Sequence, residues 1–377
     1  MIIGILKEPA AENRVSLLPE NVRQLIALKI KVLVEKNAGF RAFADDKDYE
    51  AAGAVVVSRN DIFTQADLLL SIHAPAETEF PLIKKGMVWL GDYDPLYHLP
   101  LFKQFASSGW TVFSLDNIPR TTRAQSMDIR SSQANIAGYK AVLLAAYAYS
   151  RYFPMLMTAA GSIAPAKILV LGAGVAGLQA VATGRRLGAV VEVFDTRPEV
   201  KEEVMSLGGK FVEVEGAADA TKAGGYAVEQ SEEYKQKQQQ KIAESVAKAD
   251  IIISTAQIPG KKAPVLVSKS MIENMRSGSI IVDLASSSGG NTELTKDNET
   301  IQYRGVTIVG NSNLPSDMPS DASKLYGKNV LNFLKLMIDK EGNLQLNFED
   351  ELVKGTCITH DGKITNERVR KFFGLGE

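Results

Sequence analysis

Short aliphatic runs and longer amphipathic stretches alternate along the chain from its first residues. Ile2–Leu6, Lys31–Glu35, Val55–Val57, Leu68–Ile72, Met87–Leu90 and Thr111–Ser114 have the length and apolar content of strands, and Pro19–Leu28 and Asp46–Ala52 between them read as helices. A second series follows, with strands at Ile168–Leu171, Val190–Phe194, Ile251–Ser254, Ser279–Asp283 and Val306–Val309 and a helix at Val175–Leu187. Runs that are apolar throughout, instead of alternating, mark parallel strands covered on both faces. Two long helical patterns stand at the junctions: Ser131–Tyr152 leads into the second series, and Asp321–Ile338 returns the chain to the first. Terminal strands are expected at Leu344–Phe348 and Gly355–Thr359. The pattern predicts an α/β fold of two Rossmann-like, doubly wound domains flanking a cleft and joined by two long helices. The first domain is discontinuous, 1–129 with 321–377, and the second is 130–320.

Composition narrows the function. At 377 residues and 45% hydrophobic the chain is large enough for two cores, and a formal net charge of −1 gives no general case for nucleic acid. A single cysteine, Cys357, rules out a disulfide framework within one chain. The start, MIIGILKEP, enters a strand without a basic segment followed by an apolar stretch, so no export signal is expected. The longest uncharged run, Ile168–Gly184, is a glycine-rich strand-to-helix turn and not a membrane span.

That turn carries the first chemistry. Gly172, Gly174 and Gly177 follow a buried strand as G-x-G-x-x-G, a helix opens at Val175, and a second strand ends at Asp195. Gly172 permits the tight turn, Gly174 lets backbone N–H groups approach a pyrophosphate, and Gly177 lets the helix lie close to the sheet. Asp195 is placed to accept from adenosine ribose hydroxyls and repels a 2′-phosphate, whereas Arg197 pulls the other way. The strand-end position belongs to Asp195, so NAD is favoured over NADP.

Two further segments break the regular pattern. The polar stretch 215–240 reads as a solvated loop running into a charged helix, yet its Gly224–Gly225–Tyr226 tip has the composition of a lid. Before the first long helix lies PRTTRAQSMDIRSS, in which Asp128 or Ser131 can cap the helix. Capping leaves Arg120, Arg123 and Gln125 unexplained.

The runs RAQSMD…SSQANIAGY, LGAGVAGLQA, FDTRPEVKEEV, GGYA, STAQIPGKKAPVL, DLASSSGGN and YGKNVLNFL, in that order, closely resemble domain I, the NAD(H)-binding component, of proton-translocating NAD(P) transhydrogenase. The chain is also similar to alanine dehydrogenase, which shares the opening KEP…RVSLLPE. The resemblance implies that Arg120, Gln125, Asp128 and Ser131 hold the nicotinamide and pyrophosphate of NAD(H), with Gln125 orienting the ring, Asp128 and Ser131 on its carboxamide and Arg120 on phosphate. It implies that Ala173, Gly174 and Val175, with Asp195, Thr196 and Arg197, hold the adenosine half. Gly225 and Tyr226 would belong to a mobile loop, and Gln238 and Gln257 to further nucleotide contacts. No metal is implied. The implied reaction is direct hydride transfer from NADH on this component to NADP+ on a separate NADP(H)-binding component, with proton movement in a membrane component. A homodimer held to the cytoplasmic face of the inner membrane through those partners is expected, and the end at Glu377 resembles the arrangement in which domain I is a separate subunit. The competing readings are a soluble alanine dehydrogenase and a non-catalytic NAD-binding module. Against the former, Ser71 stands where the dehydrogenase lysine is expected and WLGDYDP supplies no histidine, although Arg14, matching the carboxylate-binding arginine, remains and His73 is nearby.

Overall fold

The computed structural model describes residues 1–214 and 232–376. It divides into two compact units, Met1–Gln133 with Pro315–Glu377, and Ala134–Leu314. The chain passes from the first to the second inside one helix, Ile129–Ala148, and returns just before another, Pro319–Leu334.

In unit 1 the strands are β1 (Ile2–Ile5), β2 (Lys31–Glu35), β3 (Val55–Val57), β4 (Leu68–Leu70), β5 (Val88–Gly91) and β6 (Thr111–Ser114). They lie parallel in the order β3-β2-β1-β4-β5-β6, so the winding reverses between β1 and β4. Aliphatic residues on both faces explain why the central strands are buried throughout. Ile3, Ile5, Leu68, Leu70 and Leu90 enter one core, while Leu69, Trp89 and Val112 enter another on the opposite face.

Unit 2 begins with a hairpin, β7 (Leu156–Thr158) and β8 (Gly161–Ile163), that joins neither large sheet. Its own sheet comprises β9 (Lys167–Leu171), β10 (Val190–Phe194), β11 (Lys210–Phe211), β12 (Ile251–Ser254), β13 (Ile280–Asp283), β14 (Glu299–Tyr303) and β15 (Val306–Gly310). The order is β11-β10-β9-β12-β13-β15-β14, parallel except at the last edge, with the reversal between β9 and β12. Two late strands return to unit 1: β16 (Cys357–His360), antiparallel to β6, and β17 (Lys363–Ile364) beside it. Cys357 is buried there.

Three expectations need correction. Leu344–Phe348 is not a strand: Leu344, Leu346 and Phe348 pack on the unit 1 core, but the only pairing is a single bridge from Leu344 to Ile338. Gly355 lies in a short helix, Glu351–Thr356, and the last pairing begins at Cys357 instead. The first long helix ends at Ala148 and not Tyr152, because Pro154 disfavours helical backbone just before it and Tyr149 and Phe153 turn inward to pack ring against ring, 6.0 Å apart.

Candidate functional site

The glycine turn after β9 is built by close approach of backbone to backbone. Gly172 adopts φ +102°, and a Cβ there would meet Thr255 Oγ1 at 2.6 Å. Its N–H donates to Phe194 O at 2.8 Å and its carbonyl accepts from Thr255 Oγ1 at 3.0 Å, tying β9 to the ends of β10 and β12. A Cβ on Gly177 would stand 1.8 Å from Gly172 O, which is why the helix Val175–Arg186 sits so near the turn. Gly138 brings the helix Ile129–Ala148 equally close, with its Cβ position 2.0 Å from Ala176 O. Gly174 differs from all three. It is exposed, caps the helix without a side-chain hydrogen bond, and would present a Cβ to open space. First-turn N–H groups therefore face outward with the positive helix end behind them. Ala173 is buried beside it and Val175 exposed.

Asp195, at the end of β10, is already committed within the chain. Its Oδ2 accepts from Ala173 N at 2.7 Å and Arg197 Nη2 at 2.9 Å, and its Oδ1 from Arg197 N at 2.8 Å and Nε at 2.9 Å. Four donors meet the carboxylate's four lone-pair directions. Hydrogen bonding to Asp195, then burial opposed by the same ion pair, leaves the Arg197 guanidinium more firmly protonated than usual. Thr196 is half-buried between them.

At the end of β12, Gln257 is exposed and its Nε2 donates to Leu284 O at 3.2 Å. A residue not singled out from the sequence shapes this loop. Asn291, fully buried, accepts from Ala256 N at 3.0 Å through Oδ1 and donates to Ala256 O and Pro264 O, both at 2.8 Å. Its place in the DLASSSGGN run was the one available signal. Gln238 is buried in the helix Glu232–Val246, while Gly225 and Tyr226 lie outside the described residues.

In unit 1 the RAQSMD segment forms a 3₁₀ turn, Thr122–Met127. Residues three apart share a face in such a turn, so Ala124 and Met127 anchor it in the core and Gln125 and Ser126 point outward. Gln125 makes no hydrogen bond among the described residues, Arg120 is exposed, and Arg123 pairs with Asp350. Asp128 caps the long helix: Oδ1 accepts from Ser131 N at 2.9 Å and Oδ2 from Ser131 Oγ at 2.6 Å.

Beside this loop, unit 1 closes around its own charges. Glu8 accepts from Ile72 N at 2.6 Å and His73 N at 3.0 Å, and burial pushes its carboxyl up to about 7 against the pull of His73 and those N–H groups. Arg14 holds Glu12 by Nε at 2.9 Å and Nη2 at 2.7 Å and donates Nη1 to Gln133 at 2.8 Å. Despite burial, those bonds and one from His73 keep the Glu12 carboxyl well below the usual range. Burial lowers the His73 pKa, but Glu12 and Glu8 outweigh it and raise the imidazole above its usual value. Ser71 Oγ and Tyr93 Oη are bonded to each other at 3.0 Å, both buried. Asp92, Asp94 and Asp116 gather within 4.8 Å, where Arg130 donates to Asp94 at 2.6 Å and Asp116 at 3.1 Å and supplies the opposing charge. Burial, with Asp94 and Asp116 nearby, pushes the Asp92 carboxyl up to about 7.

Comparison with known proteins falls on the same regions. Residues 4–137 match the family described as "Alanine dehydrogenase/PNT, N-terminal domain" and 141–367 its C-terminal domain. The first portion of the NAD(P) transhydrogenase subunit alpha of Rhodospirillum rubrum, a separate chain there, is 45% identical over 376 residues, covering 97% of this chain and 98% of that protein. A crystal structure of transhydrogenase from Sinorhizobium meliloti superposes with a TM-score of 0.88 at 45% identity, covering 97% of this chain and 100% of that one. Alanine dehydrogenase of Mycolicibacterium smegmatis is 28% identical, covering 100% of this chain and 97% of that protein.

Proposed function

Since this chain belongs to the alanine dehydrogenase/PNT family, we propose that it is the NAD(H)-binding component of a proton-translocating transhydrogenase and passes hydride to NADP+ on a partner component. The observation that carries this choice over alanine dehydrogenase is the closed polar cluster of unit 1. Arg14, which would have to hold a substrate carboxylate, is bonded to Glu12 and Gln133, and Ser71 and Tyr93 satisfy each other where a lysine and a histidine would be needed.

The glycine turn fits a dinucleotide. Gly174 leaves room for a pyrophosphate against uncapped helix N–H groups, and a side chain there would fill that room. Ala173, Val175, Asp195, Thr196 and Arg197 would hold the adenosine half, with Gln238 and Gln257 as further contacts, while Arg120, Gln125, Asp128 and Ser131 would hold the nicotinamide end. When bound, a dihydronicotinamide supplies the hydride. The protein's share is positioning, since hydride transfer needs no general acid or base. Gln125 has an amide free of internal bonds on an anchored loop, which suits it to orient a ring without exchanging a proton.

A homodimer belongs to the proposal. The β7–β8 hairpin joins neither sheet, and Met157 on it and Met155 just before it are 70% and 64% exposed, near Tyr147 and Tyr152 at 92% and 52%. An isolated two-stranded hairpin with such a surface is marginal in water, which favours a second copy covering it. No helix among the described residues is long and apolar enough to cross a membrane, so attachment to the cytoplasmic membrane face would run through partner subunits. A monomeric mass by light scattering at micromolar concentration would remove the dimer.

The test of function is Gln125→Asn. Shortening the side chain should keep most NADH affinity and slow single-turnover transfer to an NADP+ analogue about a hundredfold, measured with the NADP(H)-binding component at saturation. An unchanged rate removes Gln125 from the site. Alanine-dependent NAD+ reduction by the chain alone would restore the dehydrogenase reading, and no transfer in the unmodified complex would leave a binding module.

A further inference from the structure

The helix Pro319–Leu334 sends polar side chains toward the loop that carries Gln125. Asn329, 8% exposed, donates Nδ2 to Ser126 O at 2.9 Å and accepts from Ser132 Oγ at 2.7 Å. One turn further, Asn332 Nδ2 donates to the same carbonyl at 3.1 Å. Gln133 extends the network, with Nε2 donating to Ser132 Oγ at 3.3 Å and Ala322 O at 3.2 Å and Oε1 accepting from Arg14. A continuous chain of hydrogen bonds therefore runs from Glu12 through Arg14, Gln133, Ser132 and Asn329 to Ser126.

Its effect on the loop follows from direction. Ala124 and Met127 bury the 3₁₀ turn by apolar contact, which is indifferent to rotation about the loop axis. The Ser126 carbonyl is different, because two amide donors meet it and fix the orientation of that peptide. The preceding residue, Gln125, leaves the loop in a direction set by this peptide. Arg14, bound within the chain, serves as the far anchor of the network.

We infer that Asn329 is a positioning residue for hydride transfer, acting through the Ser126 carbonyl on the presentation of Gln125. The inference rests on the reading that Gln125 faces the nicotinamide.

Asn329→Asp keeps the side chain's shape and replaces the donor with an acceptor, so the carbonyl of Ser126 loses its partner and is repelled. In the full chain with the NADP(H)-binding component at saturation, single-turnover transfer should fall about tenfold to a hundredfold, while NADH affinity by fluorescence titration is held. Combined with Gln125→Asn, the loss should be smaller than the product of the two single losses, since both act on one group. Transfer at the unmodified rate in Asn329→Asp, a parallel loss of NADH affinity, or losses that multiply with Gln125→Asn would each overturn the inference. Should Asn329→Asp not fold, Asn332→Asp carries the test, with a smaller fall in rate and the same preserved affinity. A normal rate in Gln125→Asn alone sinks the underlying reading; a slowed Gln125→Asn beside an unaffected Asn329→Asp sinks only the role of Asn329.

Discussion

Both units wind their first strands in the same order, yet what each does at the point where the winding reverses is opposite. In unit 1 the chain leaving β1 turns Glu8 back onto the N–H groups of Ile72 and His73 just past β4, and the helix at Ile129 is capped by Asp128. In unit 2 the chain leaving β9 reaches the corresponding place as bare glycine backbone, and the helix at Val175 has no side-chain cap. An open α/β sheet offers a ligand crevice at this reversal. The lesson is that topology offers the crevice twice and side chains decide whether it is kept: carboxylates have filled one, and glycine has left the other open.

The sharpest way to break this comparison is to put a methyl group on each side of the glycine turn. Gly177→Ala should destabilise the protein by about 3 kcal/mol, because the new Cβ meets Gly172 O at 1.8 Å, whereas Gly174→Ala should leave the melting temperature in place and weaken NADH binding. Thermal melts of the two variants beside NADH titrations check it; equal melting losses would mean that Gly174 is structural and the crevice is not kept for a ligand.

A smaller effect should separate the filled crevice from the open one by pH. Glu8 has a folded pKa raised to about 7, so the folded state holds a proton that the unfolded state has released, and stability is lost as pH rises through 7. Between pH 6 and 8 this group alone should cost about 1.4 kcal/mol. His73, whose pKa is also raised, loses its proton with the same sign. Denaturant midpoints at both pH values should fall less in Glu8→Gln, and an unchanged slope would show that Glu8 is not the buried acid described.

The capping contrast should give the smallest shifts. Asp128→Ala should cost about 1 kcal/mol of stability by removing the bonds to Ser131. Gly174→Ser should add a cap worth about a few tenths of a kcal/mol and weaken NADH binding by occupying the same N–H groups. A Gly174→Ser variant that binds NADH normally would show that those groups are not used.

Legibility in the sequence followed the range of the interaction. Strands Lys31–Glu35, Val55–Val57, Thr111–Ser114, Val190–Phe194 and Ile251–Ser254 are legible at their observed bounds because burial on both faces writes itself into consecutive residues. Leu344–Phe348 misleads for the same reason: its alternation reports which side is buried and carries nothing about whether a neighbouring strand exists to pair with. The turn glycines are legible from spacing, but the saturation of Asp195 by Arg197 depends on one rotamer and is not. Asn291 and Asn329 are invisible, since their partners lie 35 and 203 residues away in sequence and no local pattern marks an asparagine that will bond a distant carbonyl.

The late strand β16 puts the only thiol of the chain to a use of its own. Cys357 is buried against β6, and burial pushes its thiol up to about 12, so under ordinary conditions almost none of it is the reactive thiolate. Alkylation can proceed only through molecules in which the C-terminal segment has come away from the sheet edge. The rate at which a maleimide captures this cysteine is thus a clock for that opening, present in the unmodified sequence.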